Sequence, residues 1–186
     1  MEFLNVKTPD QLCVVLEAIS ELLQRVPTEN ENIPLQFGAR HCIPPMVRIL
    51  HTDYEPKILL TCLTCIQQLC LLPTFHPCRR NQTIFQKANG FNQILTLIRR
   101  SNKDKLVQAK AITTLATIIF GNHLIYPNAL LFGFVLDHKE NKESLGISVI
   151  KQIFKRIASL LNSADENVRI EAGAGYENSF REYRFI

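Results

Sequence analysis

Tryptophan is absent from the 186 residues and glycine, at seven, is scarce. A sandwich of short strands needs a turn signal about every 8–12 residues, so this little glycine argues against that class. A strong charge of one sign is also missing: 21 Lys+Arg stand against 17 Asp+Glu, a formal +4, too small a surplus to require nucleic acid or another polyanion as partner. The first ten residues, M-E-F-L-N-V-K-T-P-D, hold Glu2 and Asp10 and no basic segment followed by a long apolar one, so they do not read as a secretory signal. That reading points to an intracellular, cytoplasmic chain whose six cysteines are reduced, buried thiols rather than bridges.

Catalytic signatures are lacking as well. There is no G-x-S-x-G, no G-x-x-x-x-G-K and no H-E-x-x-H, and the five histidines are scattered without a recognisable acid or nucleophile beside them. The expectation is a protein that is not an enzyme and needs no cofactor.

What is present is apolar material: 46% of residues are hydrophobic, enough for one domain of this length to bury roughly 70% of its extended-chain surface. Leu and Ile dominate, which with the dearth of glycine predicts an all-α fold. One uncharged stretch, residues 111–136, is long enough to cross a bilayer. Gly121-Asn122-His123 and Pro127-Asn128 at its middle would place polar groups and a helix break at the costliest depth, so two elements joined by a turn is the preferred reading and membrane association the minor alternative.

The order of parts repeats along the chain. Met46 to Leu50, Ile94 to Ile98 and Ile157 to Leu161 are short apolar runs, followed respectively by the polar turns T-D-Y-E-P-K, S-N-K-D-K and S-A-D-E-N. Each turn leads into a new helical pattern, beginning at Ile58, Val107 and Val168, with a small residue four positions on: Cys62, Ala111 and Ala172. A small residue at fixed helical phase predicts close approach of neighbouring helices. The N-terminal A-I-S-E-L-L, residues 18–23, matches C-I-Q-Q-L-C at 65–70 and reads as the last helix of a further repeat. The expected organisation is one repeat domain over 1–178, with a partial repeat at 8–29, repeats at about 33–72, 81–122 and 145–178, a solvent loop near 137–144, and a frayed tail at 179–186.

Local punctuation agrees with this partition. Thr8-Pro9-Asp10 predict a cap, a first-turn proline and an acid at the positive helix end. Pro44-Pro45 and Pro56 fall where first turns tolerate a missing amide, and Pro73 with Pro77 close the helix between. Gly173 and Gly175 each cost about 1 kcal/mol relative to Ala inside a helix, which predicts fraying beyond Ala172.

This arrangement resembles the armadillo repeat, and less closely the HEAT repeat, in which helices stack into a right-handed superhelix. Residues 81–119, from N-Q-T-I-F-Q-K-A-N-G-F to A-T-I-I, are similar to one whole repeat, with Gly90 between its first and second helices. Cys42 and Ile153 stand where the turn glycine would be, so the first two helices can merge there. The resemblance reaches proteins that join ankyrin to armadillo repeats, of which the chain would be a whole or shortened form. It implies an all-α, armadillo-like solenoid, incomplete at both ends, that serves as a protein-interaction scaffold. The third helices would line a concave groove, in which Glu21, Gln68, Thr117 and Asn178 occupy the positions that hold a peptide main chain. Arg99 and Arg100 at the repeat edge would select acidic side chains. The alternative is a spacer within a larger array, without a ligand of its own.

Two further clusters are weighed and set aside. Cys62, Cys65, Cys70, His76 and Cys78 supply donors enough for tetrahedral zinc, but Cys62 takes the buried small-residue position of the repeat, which favours metal-free thiols. Arg79-Arg80, Arg99-Arg100 with Lys103 and Lys105, and Lys151 with Lys155-Arg156 are interrupted by acids and lack an aromatic platform, which favours solvated surface over nucleic-acid binding.

Overall fold

A computed structural model describes residues 8–25, 32–39, 42–71, 78–99, 104–119 and 147–180. Among them there are nine α-helices and no strand, so the fold is all-α. The helices are α1 (Pro9–Gln24), α2 (Asn32–Ala39), α3 (Ile43–His51), α4 (Pro56–Cys70), α5 (Arg79–Lys87), α6 (Gly90–Arg99), α7 (Lys105–Ile119), α8 (Ile147–Leu161) and α9 (Glu166–Phe180). The chain divides into two compact units, Met1–Leu97 and Ile98–Ile186.

Helix starts in the first unit follow the sequence signals. Thr8 is extended, and its Oγ1 accepts the Gln11 amide at 3.3 Å, with Pro9 opening α1 and Asp10 in the first turn. Pro44 and Pro56 occupy the first turns of α3 and α4. Cys42 caps α3 and is buried, and α2 has already ended at Ala39, so the two helices do not merge there.

Packing within this unit centres on α4. α1 lies along α4, α2 touches α4 and α5, and α3 packs on α4 and α5. Leu12, Leu16, Ile19 and Leu23 of α1 are buried, as are Ile58, Leu59, Leu63, Ile66 and Leu69 of α4. Burying a Leu or Ile side chain is worth about 1.5–3 kcal/mol, so these stripes hold the layers together. Cys62 takes its small-residue position against α3, where its thiol donates to the Met46 carbonyl at 3.4 Å.

The end of α4 shows how backbone groups freed by proline are satisfied. Leu69 would pass its carbonyl to the amide four residues on, but residue 73 is proline and has none. Asn81 of α5 supplies the donor instead: its Nδ2 bonds the Leu69 carbonyl at 2.8 Å and the Pro34 carbonyl of α2 at 2.9 Å. Gln82 Nε2 and the Cys78 amide both donate to the Cys70 carbonyl, at 3.3 and 2.9 Å. Three helices are thereby tied through two buried amide side chains. Gly38 is the surface on which Asn81 rests, since a Cβ there would lie 1.7 Å from Asn81 Oδ1.

In the turn between α5 and α6 it is Asn89, at φ 64°, that takes the left-handed conformation. Gly90 is needed for its lack of a side chain, because a Cβ on it would come within 2.3–2.5 Å of the Phe85 ring, which is fully buried and meets Phe91 edge-on at 5.6 Å.

The second unit centres on α7, whose residues 111–118 are all buried. Asp104 Oδ1 accepts the Leu106 and Val107 amides at 2.7 and 3.3 Å and so starts the helix. Its threonines turn their hydroxyls back to the carbonyl four residues earlier, which satisfies polar groups within the buried stretch 111–118. α7 packs along α9, and α8 packs on both. The single Thr113 hydroxyl proton is shared between the Ala109 carbonyl at 3.2 Å and the nearer Glu171 carbonyl at 2.8 Å, and Lys110 Nζ stands 3.5 Å from the Glu171 carboxylate. Ala111 and Ala172 are fully buried, in agreement with the small-residue phase read from the sequence.

Two expectations meet α8 and α9. α8 runs unbroken through Ile153, where the repeat pattern lacks its turn glycine. α9 continues across Gly173 and Gly175 to Phe180 rather than fraying after Ala172, because its packing along α7 offsets the low helix propensity of glycine. Among the described residues no helix is long and apolar enough to cross a membrane. Residues 120–136 of the uncharged stretch, the loop at 137–144 and residues 181–186 of the tail lie outside the described residues.

Candidate functional site

The side-by-side packing of α1 and α4 leaves an open groove of about 310 Å³, lined by Glu17, Ser20, Glu21 and Gln24 from α1 and by Leu60, Thr61 and Thr64 from α4. Helical geometry explains the lining. Leu12, Leu16, Ile19 and Leu23 turn inward, which leaves 17, 20, 21 and 24 as one polar stripe beside the contact. On α4 the residues at 60, 61, 64 and 68 form the matching stripe.

Gln68 extends this face by one turn. It is half-buried, and Ser20 Oγ donates to its Oε1 at 3.3 Å across the two helices. Glu21 is exposed and forms an ion pair with Arg25 on its own helix. Glu17 reaches across to Lys57 at 2.8 Å, and the Lys57 ammonium holds its carboxyl below the usual carboxylate range. Being exposed, both pairs contribute little to stability. Of the positions expected to face a partner, Glu21 lines the groove and Gln68 lies next to it, joined to the lining through Ser20.

The others fare differently. Thr117 is 3% exposed and its hydroxyl donates to the Thr113 carbonyl at 2.9 Å, so it does not offer a free group to a peptide. This goes against the expectation that Thr117 hydrogen-bonds a peptide main chain: residues 111–118 of α7 are all buried, and position alone does not expose a residue. Arg99 is exposed at the end of α6, while Arg100 lies outside the described residues. Asn178 is on α9, with its side chain outside the described residues. Sequence reasoning passed over Glu17, Ser20, Gln24, Thr61 and Thr64. The signal that finds them is the polar spacing 17, 20, 21, 24 on one helix beside 61, 64, 68 on the next.

The cysteine cluster is engaged in packing. Cys65 donates to the Leu16 carbonyl of α1 at 3.3 Å and Cys62 to Met46 of α3, so the two thiols point to different helices. Cys70 and Cys78 are buried and joined in no disulfide, and His76 lies outside the described residues. Among the described residues no group of three His, Cys, Asp or Glu side chains converges as metal ligands do.

Burial raises the thiols of Cys62, Cys65 and Cys70, Cys65 to about 12. A thiol held above its unfolded value of about 8.5 keeps its proton in the folded state, so its contribution is intact below that pH and is lost as pH rises toward the folded value. For Cys65 stability should therefore fall as pH rises from about 9 toward 12. Melting curves at increasing pH check this. Cys65→Val should flatten the decline relative to the parent chain, and an unchanged slope would contradict it.

Comparison with protein-family models, with curated proteins and with solved structures finds no match.

Proposed function

We propose that the chain is a segment of an armadillo-type helical solenoid and acts as a noncatalytic, cofactor-free scaffold that grips an extended or helical segment of another protein. In this reading α1, α4, α7 and α9 are third helices, α2 and α5 first helices, and α3 and α6 second helices of successive repeats. The observation that supports it is the open groove between α1 and α4, lined by Glu21 among others, with Gln68 beside it and bonded to Ser20 of the lining. A glutamine amide both donates and accepts, as a peptide main chain requires, whereas ionised Glu21 accepts only.

A second reading has an observation of its own in favour. Ser20 already bonds Gln68, and Glu17 and Glu21 already pair with Lys57 and Arg25, so every one of these groove groups has an internal partner. That favours a spacer without a ligand.

Peptides selected from a random display library against the folded chain separate the two. Under the scaffold reading, Gln68→Ala and Thr64→Trp each weaken a selected peptide by about tenfold, the loss of roughly one good interaction, with helix content retained. If selection yields nothing, or its peptides bind both variants as tightly as the parent chain, the spacer reading stands.

A further inference from the structure

The face of α1 away from the groove carries an observation that the scaffold reading does not use. Val14 and Leu22 are 64% and 58% exposed, and Ala18 between them is exposed too. Spaced by four, the three form one apolar stripe, turned from the buried Leu12, Leu16, Ile19 and Leu23 and distinct from the polar groove stripe that begins at Glu17. Its ends differ in charge: Asp10 lies in the first turn and Arg25 caps the last.

We propose that this face of α1 pairs with the same face of a second copy of the chain, the two helices running antiparallel about Ala18. The stripe complements itself in that orientation. Val14 meets Leu22 of the second copy, and Ala18 meets Ala18, where its small side chain lets the backbones approach. Asp10 comes near Arg25 of the second copy. A guanidinium has five donors, so Arg25 can hold Glu21 of its own helix and donate to a second carboxylate. Opposed helix directions also set each positive N-terminus beside a negative C-terminus. A patch that pairs with itself about a twofold axis closes at the dimer. One helix face buries less than the roughly 800 Å² per partner of a standard interface, so the dimer is weak and forms only at high concentration.

Sedimentation of the full chain from about 1 μM to about 1 mM reads this directly, with a reversible monomer–dimer equilibrium expected. Leu22→Glu, at an exposed position, should raise the dimer Kd at least about tenfold while leaving helix content unchanged. Asp10→Lys and Arg25→Glu should each weaken the dimer, and the double variant should recover it. A chain that stays monomeric throughout, or whose mass grows past the dimer without limit, overturns the proposal. So does a double charge reversal no tighter than either single one.

Discussion

Asn81→Asp is expected to unfold the chain or leave it stable only in acid. The substitution keeps the size of the side chain but replaces the Nδ2 donor by an oxygen facing the Leu69 and Pro34 carbonyls at 2.8–2.9 Å. Below the unfolded Asp value of about 3.9 the protonated acid can donate to one carbonyl; above it, folding must hold the carboxyl neutral or bury a charge against two acceptors. Asn81→Ala is the milder case, with two buried carbonyls losing a donor at about 1–3 kcal/mol each, less whatever water recovers. Gly38→Ala should reach the same defect from the other side, because its Cβ would overlap Asn81 Oδ1 and push the amide off both carbonyls. Chemical denaturation of the three variants measures these losses. A Gly38→Ala chain as stable as the parent would mean that Asn81 is not held where we describe it.

Gly90→Ala should cost about 1–3 kcal/mol by overpacking alone. The new methyl would meet three atoms of the Phe85 ring, which is fully buried and meets Phe91 edge-on. The cause can be separated from any turn effect by shortening the obstacle. On a Phe85→Leu background the same Gly90→Ala change should cost less than half as much, a coupling that a double-mutant cycle reads. Equal costs on both backgrounds would place the strain in the backbone.

These two sites also show how far the sequence could be read. Gly90 stood out because the repeat pattern places a glycine between the first two helices, yet the residue with positive φ is Asn89, and Gly90 is required by the nearness of Phe85. Asn81 could not be found this way: its partners lie 12 and 47 residues away, on two other helices, and nothing in its local spacing announces them. The proline that deprives Leu69 of its donor was visible, but not the side chain that replaces it.

Helix content and starts were legible because they depend on near neighbours. Thr8, Pro56 and Asp104 act within one turn of their own position, and the phase of Cys62, Ala111 and Ala172 follows from periodicity alone. The candidate groove was legible in part. Glu21 and Gln68 could be placed from the match between residues 18–23 and 65–70. Thr117 could not, since the same repeat position is half-open on α4 and closed on α7, and burial depends on what surrounds a helix as well as on its own stripe. The length of α9 escaped for a like reason: glycine lowers the propensity of an isolated helix, whereas packing along α7 decides the outcome here.

The most direct measurement is a nuclear magnetic resonance titration of the labelled chain with a display-selected peptide, following every backbone amide. The scaffold account predicts that shifts concentrate on Glu17, Glu21 and Gln24 of α1 and on Thr61, Thr64 and Gln68 of α4. Shifts confined to any other helices, or spread without a focus, would contradict it.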